Sequence, residues 1–170
     1  VITEKTQELD KLTQNYHRSK SRLESLVNIT ERYDGYGNSI RKIMELKDSN
    51  PGILGVIADI IKVEKQYETA IETALGGTIQ NIVTDKENTA KELINYLKVN
   101  KLGRATFLPL NAIHSRNTLE NDNCINEKGV VGVASNLVRV SFEYEGLAKY
   151  LLGRILVVDN IENALVIARK

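Results

Sequence analysis

The chain has 170 residues, 42% of them apolar and 26% charged, which is enough for one domain or two small ones around a hydrophobic core and unlike the composition of a disordered chain. Its 23 Lys and Arg nearly balance 22 Asp and Glu, so net charge does not point to a nucleic-acid partner and any basic face must come from local clustering. No apolar run approaches the roughly 18 residues of a membrane span, the N-terminus has no signal-peptide core, and the single cysteine, Cys124, excludes an intrachain disulfide framework, which fits a soluble protein of a reducing, cytoplasmic setting.

The first element is a long helix. Ile2, Leu9, Leu12, Tyr16, Leu23 and Leu26 fall on the a and d positions of a heptad, interrupted by Lys5 and Ser19. The residues between them are mostly charged or polar, so this helix is expected to project from the globular part, with its seam waiting for a partner helix. Glycines 35 and 37 in "RYDGYGNS" end the pattern. A short helix around "SIRKIMELK" then leads to an Asn50–Pro51–Gly52 turn.

From Gly52 onward the chain says the same thing twice. "GILGVIADIIKV" at Gly52 returns as "GVVGVASNLVRV" at Gly129, and at this offset of 77 residues, eight of the 25 pairs in 52–76 and 129–153 are identical. Chance would give about one or two. After a three-residue gap the match continues as "IVTDKENTA" from Ile82 against "LVVDNIENA" from Leu156, the mark of a duplicated unit.

Each copy reads as a glycine-spaced apolar segment, a helix, a strand and a second helix. The first helix carries Tyr67, Ile71, Ala74 and Leu75 on one face, matched by Tyr144, Ala148, Leu151 and Leu152, and Gly76 and Gly153 are placed to end it. "IQNIVT" and "ILVVD" suit buried strands. Ala90, Leu93, Ile94 and Leu97 share a face of the second helix, which begins again around Ala164, Ile167 and Ala168. "GRATFLPL" adds a strand closed by Pro109, and the polar stretch from Asn111 to Lys128 reads as a surface connection. The expected fold is α/β (α+β), two pseudo-repeated subdomains behind a coiled-coil helix.

The phrases "YDGYGNSIRKIMEL", "YETAIETALGG", "QNIV" and "GRATFLPL", in this order behind a heptad helix, resemble the hinge domain of structural maintenance of chromosomes (SMC) proteins, those of bacteria above all. The resemblance spans about residues 30–170. It implies an end of a coiled-coil arm at 1–33, a first hinge subdomain at 34–110, a connecting loop at 111–128 and a second subdomain at 129–170. In that family the second subdomain runs on past the position of Lys170 into a further strand and a glycine-rich segment, so it is expected to be C-terminally incomplete here. The implied partner is a second SMC hinge, the two joining head to tail in a ring, in a nucleoid-associated ATPase of chromosome condensation and segregation. Weak, sequence-independent DNA binding is also implied, with no cofactor and no membrane partner.

Candidate residues follow from the two readings together. Gly52, Gly55, Gly129 and Gly132 allow close backbone approach, either at a joint between chains or in tight packing within each copy. Arg41, Lys42, Lys98, Lys101, Arg104, Arg139 and Arg154 are the cations offered to phosphate, although Glu and Asp interleave with them. Leu9, Leu12, Tyr16, Leu23 and Leu26 form the coil seam and are expected to pack on another molecule or stay exposed.

Catalytic and metal chemistry find little support. The chain lacks a G-x-x-x-x-G-K-[ST] phosphate loop, and one cysteine cannot supply the Cys-x-x-Cys of a zinc hook, so no metal ligand set is expected. His17 and His114 read as exposed histidines; Ser115 beside His114 lacks the convergent geometry of a triad. Asp59, Glu64, Glu68 and Glu72 read as a solvated acidic face. A rival from another class is a small-molecule-binding regulatory domain that holds its ligand in a cleft between the repeats.

Overall fold

A computed structural model describes residues 2–33, 35–114 and 117–169; the side chains of 2–4, 29–32 and 121 are outside it, and with them the seam position Ile2. Ser115 also lies outside the described residues. The chain is mixed α/β behind a long N-terminal helix, α1 (Ile2–Arg32). Then come α2 (Asn38–Met44), β1 (Ile53–Val56), α3 (Ile57–Ile60), β2 (Lys62–Val63), α4 (Glu68–Leu75), β3 (Ile82–Thr84), α5 (Glu87–Val99) and β4 (Phe107–Pro109). The second copy supplies β5 (Val130–Val133), β6 (Val138–Arg139), α6 (Glu145–Leu152), β7 (Leu156–Val158) and α7 (Ile161–Ile167).

The sequence repeat is a structural repeat, position for position. β1 pairs antiparallel with β3 through Ile53↔Thr84, Gly55↔Val83 and Val56↔Ile82, and β5 pairs with β7 through Val130↔Val158, Gly132↔Val157 and Val133↔Leu156. Both ladders carry a bulge at the same point. Its effect is clearest in the first copy, where Ile53, Val56 and Ile82 enter one apolar cluster while Leu54 and Val83 enter the other. Side chains on a regular strand alternate faces, so residues three apart could not share one; the extra residue at Leu54–Gly55 puts Ile53 and Val56 on the same side. Gly55 takes φ +145 there.

The two faces of this sheet bind different things. Toward one side, Tyr33, Ile40, Ile43, Met44, Leu93 and Leu97 bring the end of α1, then α2 and α5, onto the sheet. Toward the other, Ile57, Ile61, Ile71 and Leu75 of the first copy pack with Ala134, Leu147, Leu152 and Val157 of the second in one continuous cluster. The copies therefore share a core. β2 and β6 add a ladder across the same junction, pairing Lys62 with Arg139 and Val63 with Val138.

The copies differ at the outer edge. β4 lies parallel to β3 and makes the first sheet three-stranded, in the order β1-β3-β4; β7 has β5 as its one ladder partner among the described residues. Beside it, α7 leaves Ile161, Leu165 and Val166 exposed. Two expectations need correction. Ile94 is 53% exposed, because Ala90, Leu93 and Leu97 already fill the contact that α5 makes with the sheet. Gly76 ends α4 at φ +50, but Gly153 ends α6 at φ −69, so positive φ does not explain the second glycine. A Cβ there would press on the Lys149 carbonyl and the Thr118 methyl, where Leu119 also donates its N–H to the Gly153 carbonyl (2.8 Å).

Candidate joining surface

The four glycines work inside the chain. A Cβ on Gly52 would come within 2.8 Å of Asp85 Oδ1 and 2.9 Å of the Thr89 side chain. Its carbonyl accepts the Asp85 N–H (3.0 Å), and Thr89 donates its hydroxyl to Asp85 (2.6 Å), a bond that holds the Asp85 carboxyl below the usual carboxylate range. Gly129 repeats this at the start of α7: its carbonyl accepts the Asp159 N–H (2.9 Å), Asn163 donates to Asp159 (2.9 Å), and a Cβ would collide with both side chains. Gly55 and Gly132 sit at the two bulges. Gly52 and Gly55 are buried and the other two half-buried, all within reach of their own chain.

An open glycine pair lies elsewhere. Gly76 and Gly77, just past α4, are exposed, and a Cβ on either would meet nothing within 4 Å. The signal was available in the sequence, since the second copy has Gly153–Arg154 where the first has a double glycine.

The basic candidates divide into groups. The Ser39 hydroxyl donates to the Arg104 carbonyl (2.6 Å), which sets the first turn of α2 against the loop holding Lys101 and Arg104, and Lys101 donates its N–H to the Lys98 carbonyl (3.3 Å). Lys98, in the last turn of α5, and Lys101 and Arg104 on that loop are all exposed. On α2, Lys42 pairs with Glu45 (2.9 Å), while Arg41 is half-buried with its Nε enclosed. Arg154 is exposed on the second copy, and Arg139 is ion-paired with Glu64 across the β2–β6 junction.

Glu64, Glu68 and Glu72 are exposed, as a solvated face requires, whereas Asp59 is half-buried and accepts a short hydrogen bond from the buried Tyr33 hydroxyl. This bond ties the end of α1 to α3. Along α1, Leu9, Leu12, Tyr16 and Leu23 are all at least 60% exposed, and Leu26 is half-buried near α2. His17 is exposed with its ring edge-on to Tyr16, and His114 is exposed too. Among the described residues no group of His, Cys, Asp or Glu could hold a metal ion, and no helix is long and apolar enough to cross a membrane.

Residues 50–168, the whole double unit, match the family model described as the SMC proteins Flexible Hinge Domain. The chain belongs to the SMC hinge family. Curated relatives of this hinge include the chromosome partition protein Smc of Lactiplantibacillus plantarum, 40% identical over 154 residues that cover 89% of this chain and 13% of that protein. The Smc of Methanocaldococcus jannaschii is 36% identical over 95% of the chain and 13% of its own length. The hinge thus spans about an eighth of the length of the curated relatives it matches. Among solved structures, an asymmetric dimer of the Geobacillus stearothermophilus SMC hinge domain superposes with a TM-score of 0.78 at 38% identity, over 95% of this chain and 65% of that one. The Pyrococcus furiosus SMC hinge domain gives 0.63 at 35% identity, over 85% and 75%.

Proposed function

We propose that this chain is the non-catalytic joining hinge of a chromosome-partitioning SMC ATPase, in which two copies meet and link their coiled-coil arms. The observation that carries the reading is the likeness, in sequence and fold, to a hinge crystallised as a dimer. We assign residues 1–33 to the arm, 34–110 and 129–170 to the two subdomains and 111–128 to their connection. A joint between two internally repeated chains pairs a first copy with a second copy, twice, about a two-fold axis.

In this joint the exposed Gly76–Gly77 pair makes direct backbone contact with the partner. Gly52, Gly55, Gly129 and Gly132 contribute by shaping β1 and β5, whose outer edges have no ladder partner among the described residues. The exposed stripe Leu9, Leu12, Tyr16 and Leu23 seats the returning helix of the arm. Gly77→Glu places a charge where backbones approach, so it is expected to abolish dimers seen by sedimentation equilibrium while leaving the circular dichroism of the folded chain unchanged. A dimer that survives it removes Gly77 from the joint.

The setting that goes with this role is cytoplasmic and on the nucleoid. Weak binding to the DNA backbone through Lys98, Lys101 and Arg104, with Arg41, Lys42, Arg139 and Arg154 as further contacts, completes the proposal. Duplex binding followed by fluorescence anisotropy is expected to weaken linearly with log salt. The triple change of Lys98, Lys101 and Arg104 to Gln should flatten that slope by about two to three phosphate contacts. An affinity that ignores both salt and the triple variant contradicts it.

A further inference from the structure

One arrangement of charge lies apart from the joint and from the loop after α5, although Arg139 in it is also among the further DNA contacts proposed above. Lys62 and Arg139 hold equivalent positions in the two copies, and they are directly opposed Cα partners on the β2–β6 ladder. Like charges directly opposite on antiparallel strands repel, and the duplication has nonetheless kept a cation at both. Lys47, in the turn after α2, brings a third. Its Nζ lies 3.5 Å from the point a Cβ on Gly55 would occupy, so a glycine at the bulge leaves the ammonium room to lie there.

The three cations border one cleft of about 490 Å³, with Asp59, Ser141 and Tyr144 also in its wall. Three acidic groups stand near it: Glu64 pairs with Arg139, Asp59 accepts from the Tyr33 hydroxyl and sets its carboxylate in the cleft wall, and Glu143 accepts from the Tyr144 hydroxyl. Among the described residues, Lys47 and Lys62 have no ion-pair partner. The cleft is thus a concave space of small-ligand size at the line where the copies meet, bordered by Lys47 and Lys62, by Arg139 in its pair with Glu64, by the Asp59 carboxylate and by Ser141.

We propose that this cleft binds a phosphate group, held by Lys62, Arg139 and Lys47 and by donation from the Ser141 hydroxyl. A phosphate dianion matches this donor set, with charge-assisted bonds from two ammoniums and a guanidinium and a neutral bond from the Ser141 hydroxyl. The group could be carried by a small free anion or by a nucleic-acid backbone. Bound there, it would offset the Lys62–Arg139 repulsion and bridge the two copies and α2. This site is independent of the joining role, since every residue in it belongs to one chain.

Isothermal titration of the intact chain with pyrophosphate, and separately with a short DNA duplex, tests the site. Lys62→Gln, Arg139→Gln and Lys47→Gln are each expected to weaken binding about tenfold. Lys91→Gln, on the exposed side of α5, should leave it unchanged. Saturable pyrophosphate binding with this pattern assigns a free anion. Binding of the duplex alone, with the same pattern and with Tyr144 and Ser141 amide shifts on titration, assigns a backbone phosphate. The proposal is overturned if neither ligand binds, or if Lys62→Gln and Arg139→Gln bind as the unaltered chain does; circular dichroism confirms that each variant is folded.

Discussion

Replacing Ile57 with alanine is expected to lower the stability of the chain by about 2–5 kcal/mol, the usual range for truncating a fully enclosed aliphatic side chain. Ile57 is 0% exposed at the start of α3, and its N–H is bonded to the Asn81 carbonyl (3.1 Å). Its cluster includes Ala134, Leu147, Leu152 and Val157, so the cavity would open between the copies and not inside one of them. The loss should therefore appear as one cooperative transition in urea, moved to lower denaturant with the second copy unfolding alongside the first. Two separate transitions, with the second unmoved by the substitution, would show that each copy has a core of its own.

The second large effect separates two positions that the repeat makes equivalent. Gly52→Val drives a branched side chain into Asp85 and Thr89, a crowding expected to cost about 1–3 kcal/mol. Gly129→Val meets Asp159 and Asn163 and must also hold φ +88, a backbone conformation that adds about 1–3 kcal/mol for a residue with a side chain. Gly129→Val should thus be the more damaging of the two by denaturant melting. Equal and small losses, with the only change in self-association, would instead place these glycines against a second chain.

The duplication was legible because it was written in residue identity, and the shared offset of 77 residues carries over to β1 and β5 and to α4 and α6 without adjustment. Buried helix faces followed from 3.6-residue spacing at Ile71, Leu75, Ala148 and Leu152. Ile94 misled because periodicity gives a face but not its width, and the sheet offers α5 a narrow contact. The role of the glycines was open in sequence because close approach looks the same whether the approaching atoms are in the same chain or another. Asp59 departs from the solvated face because its partner, Tyr33, lies 26 residues away, and the exposed Glu64 pairs with Arg139 from 75 residues away, links that local spacing does not show. The opposed pair of Lys62 and Arg139 needs the β2–β6 register, which no local pattern carries.

Sedimentation equilibrium of the hinge, studied with the flanking sequence it has in its parent protein, tests the central claim most directly. The account predicts a mass of two chains that falls to one with Gly77→Glu. A single-chain mass at every concentration reached, for the unaltered hinge, would contradict it.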